Sequence, residues 1–133
     1  MQLPTAVDYA VRILQHLYKH QGDVQTAKDI VISTGIAYTC VMKFAVRLKE
    51  EGLLNAVQGR NGGYTPSKPS HEISIYDVFK CIEGDLQIRD CMQNGQHCTR
   101  SDSDTCSMYA FFCELQDVMI TEMSETTIAD LVS

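Results

Sequence analysis

No apolar run in the chain approaches the ~18 residues that a membrane-spanning helix needs. The opening stretch Met1-Gln2-Leu3-Pro4-Thr5 has no basic segment leading into an apolar core. No secretory signal is therefore expected, and a cytoplasmic location is. A Ser/His/Asp set, a phosphate-cradling glycine loop and paired carboxylates in a catalytic setting are all missing, which argues against an enzyme. No Cys-x-x-Cys knuckle occurs, which weakens a zinc-ribbon reading. Internal repeats and low-complexity tracts are absent as well. What remains is a 133-residue chain with 44% hydrophobic residues, enough for one domain, or one domain plus an oligomerisation element. In a reducing compartment its six cysteines read as metal ligands or redox thiols rather than structural disulfides.

Positive charge is scarce in one half only. Residues 1–69 carry eight bases (Arg12, Lys19, Lys28, Lys43, Arg47, Lys49, Arg60, Lys68) and five acids (Asp8, Asp23, Asp29, Glu50, Glu51), a net +3. Residues 70–133 carry three bases (Lys80, Arg89, Arg100) and twelve acids, a net −9, and the two halves give the chain its −6. A basic working half beside an acidic one fits a nucleic-acid binder better than the net charge does. Chance clustering is the plain alternative.

The basic half has a legible order. Leu3, Ala6, Val7, Ala10, Val11, Leu14, Leu17 and Tyr18 recur at three- and four-residue steps, which predicts a helix with Thr5 as N-cap. Asp8, Arg12, Gln15 and Lys19 take its polar face. A short helix over Thr26–Ser33, a turn at Thr34-Gly35-Ile36 and a helix from Ala37 to Glu51 follow. In the last of these Val41, Phe44, Ala45 and Leu48 are the expected core set. Tyr38, Thr39, Met42, Lys43, Val46 and Arg47 then face outward, where a helix-turn-helix meets the DNA major groove. A hairpin is predicted next, with Leu53–Val57 and Gly63–Thr65 flanking Gln58-Gly59-Arg60-Asn61-Gly62, and Asn61-Gly62 suggests a type I′ turn. A helix-turn-helix followed by a hairpin is a winged helix. The candidate DNA contacts are Tyr38, Thr39, Met42, Lys43 and Arg47 on the recognition helix, and Gln58, Arg60 and Asn61 on the wing. Lys43 and Arg47 could equally be solvated helix charges.

The acidic half opens after Pro66 and Pro69 with a helix capped by Ser74 and Asp77 and closed by Gly84; Ile75, Val78, Phe79 and Ile82 form its apolar face. A long helix is predicted from about Thr105 to Met123, with Met108, Phe111, Phe112, Leu115, Val118, Met119 and Met123 as a wide apolar stripe. Thr126 to Val132 predicts a short closing helix. The stripe points to a homodimer joined through the long helix; the alternative is that this helix folds back on its own domain. The fold class is thus mainly α with a small β-hairpin wing. Residues 1–69 form the winged helix-turn-helix part, and residues 70–133 the cysteine loop (91–106) and dimerisation helix.

Between these last two helices Cys91, Cys98 and Cys106 sit in a polar stretch without helix or strand periodicity, separated by six and seven residues. Thiolates bind iron well, and Cys106 in the first turn of a helix is favoured as thiolate. The expectation is an iron–sulfur cluster, 4Fe–4S favoured over 2Fe–2S. Zinc binding, bare thiol redox sensing and a non-DNA-binding iron–sulfur carrier are the alternatives. Cys40, Cys81 and Cys113 read as packing residues, and His97 as a solvated loop histidine.

The helix-turn-helix, the wing Gly59-Arg60-Asn61-Gly62-Gly63-Tyr64, the helix beginning near Ser74 and three cysteines before a long helix together resemble the Rrf2 family. These are bacterial winged-helix regulators with IscR-like and NsrR-like cluster-binding members, and the resemblance covers nearly the whole chain. It implies binding to a near-palindromic double-stranded operator. It also implies an affinity set by a cluster that senses nitric oxide, redox state or cluster supply. The cysteines here are more widely spaced than is usual in cluster-binding relatives. Tyr109 stands where IscR-like proteins carry a histidine, and Met42 where they carry an acidic base-contacting residue. Gln58 replaces a common wing base. Asp8 matches the acid in the first helix of NsrR-like members, so the resemblance leans that way. It implies Asp8 of one subunit as fourth ligand to the cluster held by Cys91, Cys98 and Cys106 of the other. The competing role for Asp8 is a surface pair with Arg12.

Overall fold

The computed structural model describes residues 2–89 and 107–132. Helix α1 (Thr5–Lys19) follows the predicted apolar steps: Val7, Ala10, Leu14, Leu17 and Tyr18 are buried. Ile13 and His16 join them, whereas Leu3 is exposed. The N-cap is Pro4 rather than Thr5, and no side chain caps the helix. Pro4 is extended, with φ −60° and ψ 137°, and its carbonyl accepts from the Val7 N–H at 3.1 Å.

Helix α2 (Ala27–Thr34) starts at a reciprocal cap, in which the Asp29 N–H donates to Thr26 Oγ1 at 3.1 Å and the Thr26 N–H to Asp29 Oδ2 at 3.0 Å. Gly35, at φ 75°, turns the chain into α3 (Tyr38–Glu50). The two axes bend by 117°, within the range of a helix-turn-helix. Val41, Phe44, Ala45 and Leu48 are buried as the pattern predicts.

Strands β1 (Leu54–Val57) and β2 (Gly63–Pro66) pair antiparallel, with Leu54 opposite Pro66 and Val57 opposite Gly63. The predicted type I′ turn at Asn61-Gly62 is not formed. Instead the Gly62 N–H donates to the Gly59 carbonyl at 3.0 Å, so Arg60 and Asn61 are the central residues, and Gly59 rather than Gly62 has positive φ. A Cβ on Gly62 would lie 2.3 Å from the Val57 carbonyl oxygen, and one on Gly63 2.5 Å from that of Gln25. Both glycines serve close backbone approach.

A 3-10 turn over Ser70–Glu72, not anticipated by the sequence pattern, leads to α4 (Ile75–Glu83). The Ser74–Asp77 box forms as predicted, with bonds of 2.9 and 3.0 Å. Helix α5 (Ser107–Glu125) and α6 (Ile128–Leu131) end the chain. The segment between them is stitched to the start of α4: the Ile75 N–H donates to Thr126 at 2.8 Å and the Ile128 N–H to Ile73 at 2.9 Å. The apolar stripe of α5 divides in two. Met119, Ile120 and Met123 pack on the domain's own core, while Met108, Phe111, Leu115 and Val118 are exposed, Val118 by 61%. One cluster of buried side chains joins α1, α3, α4 and α6, so residues 1–69 and the acidic half share a core. No single helix among the described residues is long and apolar enough to cross a membrane.

Among the described residues His16 is the one buried polar side chain. Its Nε2 lies 2.8 Å from Gln25 Oε1, and its ring 4.3 Å from that of His20. Burial lowers its pKa below the ordinary 6.5, helped by His20 and Lys19 and opposed by Gln25 and Asp29. The unfolded chain therefore takes up this proton first as pH falls. The stability that neutral His16 contributes is complete above about pH 6.5 and is lost as pH falls through the lowered value. Urea midpoints measured from pH 7.5 down to 5 should fall, and His16→Gln should flatten that fall. An identical slope in the variant would assign the loss elsewhere.

Candidate nucleic-acid interface and cysteine-flanking elements

The candidate recognition surface is the outer side of α3 with the wing beside it. Tyr38, Thr39, Lys43 and Arg47 are exposed, and Met42 is half-buried. The Tyr64 hydroxyl on β2 donates to Met42 Sδ at 3.7 Å, so the wing holds the recognition helix directly. Backbone bonds of 3.0 and 2.8 Å between Gln25 and Tyr64 fasten the same strand to the segment before α2. Gln58, Arg60 and Asn61 are exposed at the wing loop. Among the described residues no ion pair involves Lys43, Lys49 or Arg60; Lys43 Nζ lies 5.7 Å from the centre of the Phe44 ring.

Arg47 is placed differently from its neighbours. Its Nη1 donates to the Ile82 carbonyl at 2.9 Å, near the C-terminus of α4 where the helix dipole favours a cation. That side chain ties the recognition helix to α4 instead of standing with Tyr38, Thr39 and Lys43. No local pattern marks this contact, because the two residues are 35 positions apart. The Tyr64–Met42 and Gln25–Tyr64 ties were missed for the same reason. Gly62-Gly63 was their one local trace, and it resembles an ordinary turn.

Three of the predicted cluster ligands, Cys91, Cys98 and Cys106, lie outside the described residues, as does His97. The flanking elements are described. The Ile88 N–H donates to Gln116 Oε1 at 3.2 Å, and the Arg89 guanidinium lies 5.6 Å from the centre of the Phe112 ring. The chain thus reaches the N-terminal half of α5 at Arg89 and resumes at Ser107, the first residue of that helix. The remaining cysteines, Cys40, Cys81 and Cys113, are half-buried and unpaired, and Cys40 and Cys81 pack on the core. Burial, reinforced by Glu51 and Glu50 against Arg47, pushes the Cys81 thiol up to about 11, so it stays protonated at neutral pH. Among the described residues no three His, Cys, Asp or Glu side chains are grouped to hold a metal.

Asp8 is exposed in the first turn of α1, with Oδ2 2.8 Å from Arg12 Nη2. An exposed pair at this spacing contributes about 0.3–0.5 kcal/mol, a weak hold on the carboxylate. Asp8 also rims an open apolar groove formed by Leu3, Val7, Val11, Ile75 and Leu131.

A family model described as "Rrf2: Iron-dependent Transcriptional regulator" matches residues 3–133. The HTH-type transcriptional regulator NsrR of Halalkalibacterium halodurans is 28% identical over 134 residues, covering 100% of this chain and 91% of the relative. Two solved structures share the fold. CymR, described as the global cysteine regulator of B. subtilis, superposes with a TM-score of 0.80 at 18% identity, covering 99% of this chain and 96% of that one. T. potens IscR does so at 0.78 and 19%, covering 98% and 85%.

The Arg47 contact has a direct consequence for stability. Arg47→Ala removes a charge-assisted bond to Ile82 and should lower the unfolding free energy by about 1–2 kcal/mol. Equilibrium urea denaturation reads this. An unchanged midpoint would release Arg47 from its structural role and return it to the DNA-facing set.

Proposed function

The chain belongs to the Rrf2 family of transcriptional regulators, not to a family of enzymes, and we propose that it is a homodimeric DNA-binding regulator whose operator affinity is set by an iron–sulfur cluster. The observation that carries this reading is the return of the chain to one end of α5. Cys91 follows two residues after Arg89, which lies against Phe112, and Cys106 immediately precedes Ser107, so the described residues on either side of the three cysteines both lie at the N-terminal half of that helix. Three soft thiolates in one short polar segment suit iron, in agreement with the family's iron-dependent description. Cys91, Cys98 and Cys106 would hold a cluster, 4Fe–4S favoured over 2Fe–2S. Its iron would supply a reactive centre for nitric oxide, oxygen or redox change.

The fourth ligand is proposed to be Asp8 of the partner subunit. Asp8 shares its groove with Ile75, and the Ile75 N–H bonds to Thr126, just beyond the C-terminus of α5. The described residues that flank the cysteines, Arg89 and Ser107, lie towards the opposite end of this 19-residue helix, about 28 Å long. Two α5 helices packed antiparallel through Met108, Phe111, Leu115 and Val118 would bring the N-terminus of one beside the C-terminus of the other. A carboxylate is a harder ligand than a thiolate, which leaves its iron the more readily displaced.

On DNA, the N-terminus of α3 would enter the major groove, with Tyr38, Thr39, Met42 and Lys43 at base edges and Gln58, Arg60 and Asn61 at the wing. The two-fold axis of the dimer calls for a near-palindromic site.

Protein purified without oxygen should carry iron and sulfide in cluster stoichiometry and a visible absorption band. Colourless protein that still binds a promoter would favour a thiol- or zinc-based regulator of the same fold. Asp8→Ala should keep cysteine-bound iron yet lose it faster and uncouple its loss from DNA release. Mixing Asp8→Ala chains with chains carrying Ser at Cys91, Cys98 and Cys106 should restore one stable cluster per mixed dimer if ligation crosses the interface. No restoration in dimers verified as mixed would count against it.

Binding to operator DNA should weaken steeply with salt despite the acidic net charge. Each phosphate neutralised by Lys43, Lys49 or Arg60 adds roughly −0.9 to the slope of log affinity against log salt. Arg60→Ala should make that slope shallower by about one such step, and an unchanged slope would remove Arg60 from the phosphate contacts.

A further inference from the structure

From Ala37 to Val46 the recognition helix and its cap read Ala-Tyr-Thr-Cys-Val-Met-Lys-Phe-Ala-Val. Val41, Phe44 and Ala45 are buried, and Cys40 packs on the core. The outward positions are Ala37, Tyr38, Thr39, Met42, Lys43 and Val46. No carboxylate, side-chain amide or guanidinium is among them. The surface cannot read guanine through a bidentate arginine, adenine through a bidentate amide, or the cytosine amino group through a carboxylate. The nearest guanidinium on the helix, that of Arg47, is engaged at the Ile82 carbonyl. Lys43 is the one side chain of the set that can donate to O6 and N7 of a guanine, and the hydroxyls of Tyr38 and Thr39 both donate and accept, which discriminates little.

The outward surface consists mainly of methyl and methylene groups. Tyr38, Met42 and Val46 follow one another at four-residue steps along a single edge, with Ala37 and the Thr39 methyl beside its start. Tyr38 is 56% and Val46 48% exposed, although nothing in the core requires apolar groups there. Met42 is a flexible side chain held in place by the Tyr64 hydroxyl at 3.7 Å.

Only one group on the floor of the major groove is apolar, the 5-methyl of thymine. We propose that Ala37, Thr39, Met42 and Val46 read thymine methyl groups, so that operator half-sites are specified mainly by apolar contact with A·T pairs. The inference rests on the DNA-binding reading above and adds Val46 as a specificity-determining residue.

The test uses the full-length protein, purified without oxygen, and two random-sequence duplex libraries, one made with thymine and one with uracil in its place. Selection from the thymine library should enrich a two-fold site with thymine at fixed positions. Replacing those thymines by uracil one at a time should weaken binding about fourfold for each buried methyl. The uracil library should fail to enrich the same site. Val46→Ala should reduce the thymine-to-uracil ratio at its contacted position with the salt slope unchanged, which a general folding defect would not do. Met42→Leu should keep the ratio that Met42→Ala loses. A consensus bound equally well in both forms overturns methyl reading while leaving DNA binding intact. Enrichment of no duplex from either library overturns both.

Discussion

What α1 buries decides where the outward-facing parts of this molecule stand. Its inner face, from Val7 to Tyr18, is the surface on which α2, α3, α4 and α6 pack. Tyr18 donates its hydroxyl to the Lys68 carbonyl beyond the wing, and His16 holds Gln25, whose backbone pairs with Tyr64 inside the wing. The wing is a two-stranded hairpin, an element marginal by itself in water. It gains a fixed position from these ties to α1 and from the bond of Tyr64 to Met42. Recognition helix and wing are consequently one rigid surface rather than two independent probes.

The elements legible in the sequence are those specified by local chemistry. The Thr26–Asp29 and Ser74–Asp77 boxes, the positive-φ Gly35 and Gly84, and the buried quartet of α3 each depend on residues within a turn or two of one another. The misreadings lie where a distant partner overrules the local signal. Asn61-Gly62 has the composition of a type I′ turn. Yet Gly62 and Gly63 are committed to close approach, to the wing's own backbone and to Gln25, and the turn forms one position earlier. Thr5 is a preferred cap residue, yet the helix already includes it and Pro4 stands at the last non-helical position. Of the candidate site, the outward set of α3 was legible from periodicity alone. Arg47 was not, because its destination on α4 is a matter of helix packing.

The division of charge takes on meaning from this packing. The basic and acidic halves share one core, so the chain cannot separate them, and the −9 of residues 70–133 travels with the DNA-reading surface. On the proposed reading, so many acids in the same body would lower non-specific attraction to DNA. With so few bases outward on α3, electrostatics would on that reading supply orientation and attachment, and discrimination would fall to the apolar edge of the helix.

The same rigidity limits how a signal could alter DNA binding. On the proposed reading the signal arrives in the segment that leads into α5, and α5 meets α3 by way of α4. Asp8, however, lies in the first turn of α1, the helix to which wing, recognition helix and α4 are all fixed. A ligand bond from Asp8 to the partner's cysteine segment would therefore act on the whole protomer as a lever, through the angle between subunits. Breaking it would return the carboxylate to Arg12, a pair of low energy that offers little competition. The two recognition helices would then keep their individual geometry and lose their mutual spacing, which is what a near-palindromic site measures.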